Sequence, residues 1–266
     1  MQSHHPFPKG YKYDAIATCF SYPLSQSINK NIGQIFKYLF KGILMLSLLI
    51  CCLLSSIGCS KSAPGDDTGQ QNEHAGHING MGSSMEPLNG DAFKLSSTIK
   101  IQGGIKAVDF AYPLTDYCQQ AGSGLFVLVA MDFVNQSGKD TILVFPAGLT
   151  LASKSTEDQN GILIQTTKIP LAKGATCNTL FYAFCTNEHR HGSSSESQYE
   201  FGPICKAPPI LDLIERLAHK KVNLDAGEMP TLYGSVASMQ EWVWHITEGE
   251  GLTEDDKKAI NQLEGL

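Results

Sequence analysis

The pattern of apolar and polar positions changes character repeatedly along the 266 residues. From Ile43 to Gly58 no residue is charged and most are large and apolar, and Lys30, Lys37 and Lys41 precede the run. A basic stretch followed by an apolar one is the order of an export signal. Diluted by Ser47, Ser55, Ser56 and Gly58, the run also falls short of the roughly 20 apolar residues a spanning helix needs. Residues 59–92 reverse the pattern: Gly, Ser, Asn, Gln and acidic residues leave little apolar surface to offset the entropy of ordering, which predicts a flexible tether. From Phe93 onward, short β-branched and apolar runs (125–135, 141–153, 161–171 and 176–185) alternate with turn signals such as NQSGKD at 135–140, and no helical period intervenes. That spacing predicts an antiparallel β-sandwich over 93–207.

After Pro208 and Pro209 the period becomes helical. Ile210, Ile214, Leu217 and Ala218 share one face of 208–221, with Lys220 and Lys221 at the negative end of the dipole. Val236, Met239, Val243 and Ile246 mark a second helix from Ser235 to about Thr247. Thr253 caps a third over 251–266, with Glu254, Asp255 and Asp256 in its first turn. The class is therefore α+β. The expected organisation is a signal at 1–58, a tether at 59–92, a sandwich at 93–207, and a segment of two or three helices at 208–266 packed on the sandwich. The tract VAMDFVNQSGKDTILVFPAGLTL resembles an immunoglobulin-type secreted domain, a likeness of organisation that implies no chemistry.

The small residues before Cys59 resemble the lipobox of bacterial lipoproteins, with Ser56 where that family prefers a large aliphatic residue. The resemblance implies that Cys59 is acylated and becomes the mature N-terminus; an uncleaved membrane anchor is the alternative. Lys61, Asp66 and Asp67 resemble the charged export tags of Bacteroidetes surface lipoproteins, which implies attachment to the outer membrane or cell surface through the lipid.

Charge and cysteine usage follow from that address. Residues 59–266 carry 15 Lys and Arg against 25 Asp and Glu, a formal charge of −10. With no local cluster of cations, a nucleic-acid partner is excluded. Cys118, Cys177, Cys185 and Cys205 remain in the exported part, an even number in an oxidising compartment, so two disulfides are expected. If residues 177–185 form one strand, its ends lie about 26 Å apart, so Cys177 and Cys185 cannot pair. Cys185 with Cys205 and Cys118 with Cys177 are the expected bridges.

Two constellations carry candidate chemistry. FYAFC at 181–185 followed by MQEWVW at 239–244 resembles the paired signatures of thioester adhesin domains, with Met239 and Trp242 departing from the usual motif. The resemblance implies that the Cys185 sulfur attacks the Gln240 side-chain carbonyl with loss of ammonia, giving an internal thioester that acylates a nucleophile on another surface. The competing expectation places Gln240 at the surface or boundary of an amphipathic helix, with Trp242 and Val243 under the sandwich. His74, His77, Met81 and Met85, spaced by three, four and four residues, form a possible Cu(I) set. His189 and His191 form an H-x-H pair that opens a Ser-rich loop, where a solvated turn is expected. Hydrolase, metalloprotease, phosphate-binding and dinucleotide motifs are absent, no cofactor is implied, and Asp109, Asp116 and Asp132 are spread over different expected strands. The chain is thus expected to be a non-enzymatic envelope lipoprotein that displays a binding or adhesion surface for a protein or glycan. Copper handling and covalent adhesion are the alternatives.

Overall fold

Among the residues described by the computed structural model (73–109, 117–223 and 229–266, without the side chains of 229–235), the strands are β1 (Ile99–Ala107), β2 (Gln119–Gly122), β3 (Val127–Asn135), β4 (Thr141–Phe145), β5 (Leu149–Ser153), β6 (Gly161–Ile162), β7 (Thr167–Leu171), β8 (Thr176–Cys185) and β9 (Gln198–Ile204). Three helices follow: α1 (Pro208–Leu217), α2 (Met229–Thr247) and α3 (Glu254–Gln262). The expected signal, Cys59, residues 60–72 of the tether and Asp116 lie outside the described residues. No helix among those described is long and apolar enough to cross a membrane.

The α+β class holds, but the sheet is not an immunoglobulin sandwich. Strands run β2-β8-β3-β1-β9-β5-β6, and β6 also pairs with β8, so β8, β3, β1, β9, β5 and β6 close into a six-stranded barrel. Every pairing is antiparallel except β2 on β8. Closure depends on the length of β8. Its middle holds β2 through Thr179–Tyr182, and its last two residues, Phe184 and Cys185, hold the two-residue β6. β4 and β7 form a separate ribbon.

Alternation along β8 builds two apolar clusters, one on each face of the wall. Phe181, Ala183 and Cys185 join Val127, Val129, Met131, Phe133 and Phe145 in one cluster. Leu180, Tyr182 and Phe184 join Leu128, Ile162 and the helices in the other. The helices supply Ile210, Leu213 and Leu217 from α1, Val236, Met239, Trp242, Val243 and Ile246 from α2, and Ile260 from α3. The stripe read from sequence on α2 is the face that docks, whereas on α1 the docking face turns toward Leu213: Ile210 and Leu217 are buried as expected, Ile214 is partly buried and Ala218 is exposed. α2 begins six residues before the expected Ser235, and α1 stops at Leu217 rather than at Lys221.

The third helix starts where the sequence places it. Thr253 Oγ1 accepts from Asp256 N, and Asp256 Oδ2 accepts from Thr253 N, a reciprocal capping box. His245 Nδ1 lies 2.9 Å from the same carboxylate and ties α2 to the start of α3. Partial burial pushes the Asp256 pKa up, but the hydrogen bonds from Thr253 and His245 outweigh it and hold the carboxyl below its ordinary 3.8. A carboxyl held lower in the folded chain than in the unfolded one stabilises above its unfolded pKa and loses that contribution as pH falls through the folded value. Asp256→Ala is therefore expected to cost about 1 kcal/mol near neutral pH and progressively less below pH 3.8, measured by urea unfolding at both pH values. An equal cost at both would contradict this account.

Candidate functional site

β8 outruns its neighbour. β3 begins at Val127, opposite Ala183, so nothing in β3 pairs with the last two residues of β8. On the other edge, Thr186 N donates to Asn160 O at 2.9 Å. Because successive peptide units of a strand face opposite edges, the N–H and C=O of Cys185 turn toward the edge that β3 leaves open. Gln240 fills that edge. Its Oε1 accepts from Cys185 N at 2.9 Å and its Nε2 donates to Cys185 O at 2.8 Å, so the carboxamide takes the place of a strand's peptide unit.

Helical spacing puts the side chain there. Val236, Met239, Gln240 and Val243 lie at steps of three and four on the buried stripe of α2, and Gln240 is 1% exposed. The expectation of a surface or boundary Gln is corrected: a buried amide needs both its donor and its acceptor matched, and the open end of β8 matches both. Trp242 and Val243 are buried as expected.

The Cys185 thiol is free and fully buried, and so is Cys205. The expected bridge between them does not form. Cys185 belongs to the cluster on one face of the barrel wall and Cys205 to the helix-side cluster, so the sulfurs are held apart. The loop after β8 is closed instead by backbone bonds, His191 N to Glu157 O and Gln159 N to His191 O, both 2.9 Å. Cys118 and Cys177 do form a disulfide.

Two N–H groups point at the Cys185 sulfur, Trp244 Nε1 and the backbone N of Asn187, each at 3.3 Å. The half-buried Trp244 ring stacks on Phe126, their centroids 5.6 Å apart, beside the thiol. Burial pushes the Cys185 thiol up to about 12, the two N–H donors pull it down, and the carboxylates of Glu248 and Glu188 add to the rise. Burial likewise lifts Cys205 to about 11. The carboxamide is thus bound to the backbone of the residue that carries the free thiol, and the Cys185 N–H already donates to the oxygen on which charge would grow if that sulfur added to the carbonyl carbon.

A strap lies over this junction. Residues 73–85, expected within the tether, bury Ile78 and Met81 in the helix-side cluster. Gly76 N donates to Ile246 O at 2.9 Å, on the last turns of α2, and Gly82 N donates to Thr186 O at 2.7 Å, just past Cys185. Asn187 Nδ2 reaches Gly82 O at 2.8 Å and Gly80 O at 3.3 Å, and Asn160 Nδ2 reaches Gly80 O at 2.9 Å. At Gly82, where φ is +59°, a Cβ would run into the Thr247 carbonyl, so close approach and backbone conformation both require glycine. Composition misled here because backbone polar groups matched by two buried Asn side chains order the strap, with only two apolar anchors.

Only half of the expected copper set converges. The His74 and His77 rings lie 4.5 Å apart, but Met81 is 2% exposed in the core and Met85 is 68% exposed beside the Arg190 guanidinium. His189 and His191 are exposed, as a solvated turn requires. Among the described residues no group of three or more His, Cys, Asp and Glu side chains could hold a metal ion. Asp109 accepts from Ser195 N, away from Asp132 on β3. No family model, curated protein sequence or solved structure matches the chain.

Proposed function

We propose that the chain is a covalent adhesin of the cell envelope, in which Cys185 and Gln240 condense to an internal thioester that later acylates a nucleophile on another surface. The observation that carries the reading is the hold of one buried carboxamide on both backbone groups of a buried, unpaired cysteine. In the condensation the sulfur–carbon bond forms, the carbon–nitrogen bond breaks, and the thiol proton leaves on ammonia. In the acylation an amine or hydroxyl adds to the same carbon, the carbon–sulfur bond breaks, and the proton returns to Cys185. Each thioester reacts once, so the activity is attachment and not turnover.

The export signal and lipidated Cys59 complete the proposal by placing the domain outside the membrane, and the Cys118–Cys177 disulfide is of the kind an oxidising compartment favours. Adhesion to a protein or glycan surface is then the general role, and the thioester is its covalent form.

Mass analysis of the unreduced whole protein tests the proposal. The Cys185 and Gln240 segments are expected to be joined and lighter by one ammonia. Methylamine is expected to free one thiol and leave Gln240 as its N-methyl amide. Gln240→Ala and Cys185→Ala are each expected to abolish both signals. An intact Gln240 carboxamide beside a titratable Cys185 thiol in the freshly isolated protein overturns the reading.

A further inference from the structure

Whatever opens a thioester must expel a sulfur, and the sulfur of Cys185 sits where a bare thiolate is costly. Burial and the carboxylates of Glu248 and Glu188 all oppose negative charge there. Only the two N–H donors run the other way: Trp244 Nε1 from the last turns of α2, and the Asn187 backbone N from the turn after β8. Their placement does not depend on the thiol. The indole is held by its stack on Phe126, and the Asn187 amide is fixed because its side chain is bound at both ends, to the strap and to Asn160 and Thr186. Donors fixed before the reaction need no reorganisation when charge arrives, which is the condition under which a hydrogen bond lowers a barrier most.

We infer that Trp244 is a catalytic residue of this site, its indole N–H acting with the Asn187 backbone N–H to hold the Cys185 sulfur as the departing thiolate. The inference rests on the thioester reading and adds to it the group that makes sulfur leave. As the nucleophile adds to the Gln240 carbonyl carbon, the carbon–sulfur bonding pair passes to sulfur, the two N–H groups bear on the new charge, and the nucleophile's proton then neutralises it. Run backward, the same donors assist sulfur as it attacks the carboxamide, so one residue serves both formation and opening. The Phe126–Trp244 stack also supplies a shield, with Phe126 42% exposed on its outer side.

The test compares three forms of the whole protein for thioester formation and for thiol release by methylamine. Trp244→Phe removes the N–H and shortens the ring. Site-specific replacement of Trp244 by benzothienylalanine keeps the bicyclic shape and removes only the N–H. Phe126→Leu keeps the N–H and removes the stacked neighbour. Loss of a hydrogen bond to a charged group is expected to slow formation or opening roughly 10- to 100-fold in the first two forms. Phe126→Leu keeps the N–H but loosens the stack that holds it, so it is expected to slow both steps by less than the two forms that lack the N–H; an equal or larger slowing would mean that ring packing and not the N–H acts. The benzothienyl form decides the matter if Trp244→Phe folds poorly: formation and opening at wild-type rates overturn the role of the N–H while leaving the thioester intact. Absence of the ammonia loss in the wild-type protein removes both proposals together.

Discussion

Asn187→Ala is expected to lower stability by about 2–5 kcal/mol and to make residues 73–85 cleavable by protease, although the side chain it removes is polar. Asn187 is completely buried. Its Oδ1 accepts from Asn160 N and from Thr186 Oγ1, both at 3.0 Å, and its Nδ2 donates to the Gly80 and Gly82 carbonyls. Two of these partners have a second bond to fall back on, Thr186 Oγ1 to Asn160 O and Gly80 O from Asn160 Nδ2. The Asn160 N–H and the Gly82 C=O lose the bonds described for them, and an unsatisfied buried group costs about 1–3 kcal/mol. The change is to be read as the shift in urea midpoint, together with the rate of cleavage in 73–85 under native conditions. A loss below about 1 kcal/mol with an unchanged cleavage rate would mean that water replaces the side chain at no cost and that the strap is held elsewhere. Thioester formation is expected to fall as well, because the same residue's backbone N–H bears on the Cys185 sulfur.

What could be read from the sequence divides along a physical line. Apolar, β-branched runs at 125–135 and 176–185 mark β3 and β8, and three- and four-residue steps mark the docking face of α2 and part of that of α1, because such runs and periods are written locally. Barrel closure was not legible, since it depends on Gly161 and Ile162, a strand too short to have a period. The strap was not legible either, because its order comes from polar matching between residues up to 107 positions apart. At the site the outcome is mixed. The motif pair FYAFC and MQEWVW selects the two residues that meet, and Gln240 occupying an apolar step of the α2 stripe was a readable sign of a buried amide. The expected Cys185–Cys205 bridge followed from cysteine parity, which carries no information about the face of the wall on which each sulfur lies.

The remaining disulfide makes the other large prediction. Cys118 and Cys177 close a loop spanning 59 positions, and removing such a cross-link restores chain entropy to the unfolded state worth about 4 kcal/mol. Cys118→Ala with Cys177→Ala is expected to lose roughly that amount in urea unfolding, and adding reductant to the wild-type protein is expected to reproduce the loss. Its structural effect is expected to be local. Cys118 immediately precedes β2, a four-residue strand paired in parallel with β8, and the Cys118 N–H bonds to Asn178 O beside the bridge. β2 depends on that anchor, whereas β8 keeps β3 along eight register pairs. Cys185, the proposed reactive cysteine, lies at the opposite end of β8, eight positions and about 26 Å from Cys177, where β6, Gln240 and the strap hold it independently. The double variant is therefore expected to unfold earlier yet still lose one ammonia when native. Unchanged stability would show that the cross-link does not constrain the unfolded chain, and loss of the ammonia signal in the folded variant would show that the two ends of β8 are coupled. The separation bears on how one chain keeps a disulfide and a free thiol together. The oxidised pair stands at an end of the strand where Cys118 is exposed, while Cys185 at the other end is buried and has no second cysteine within its cluster other than the already bonded Cys177.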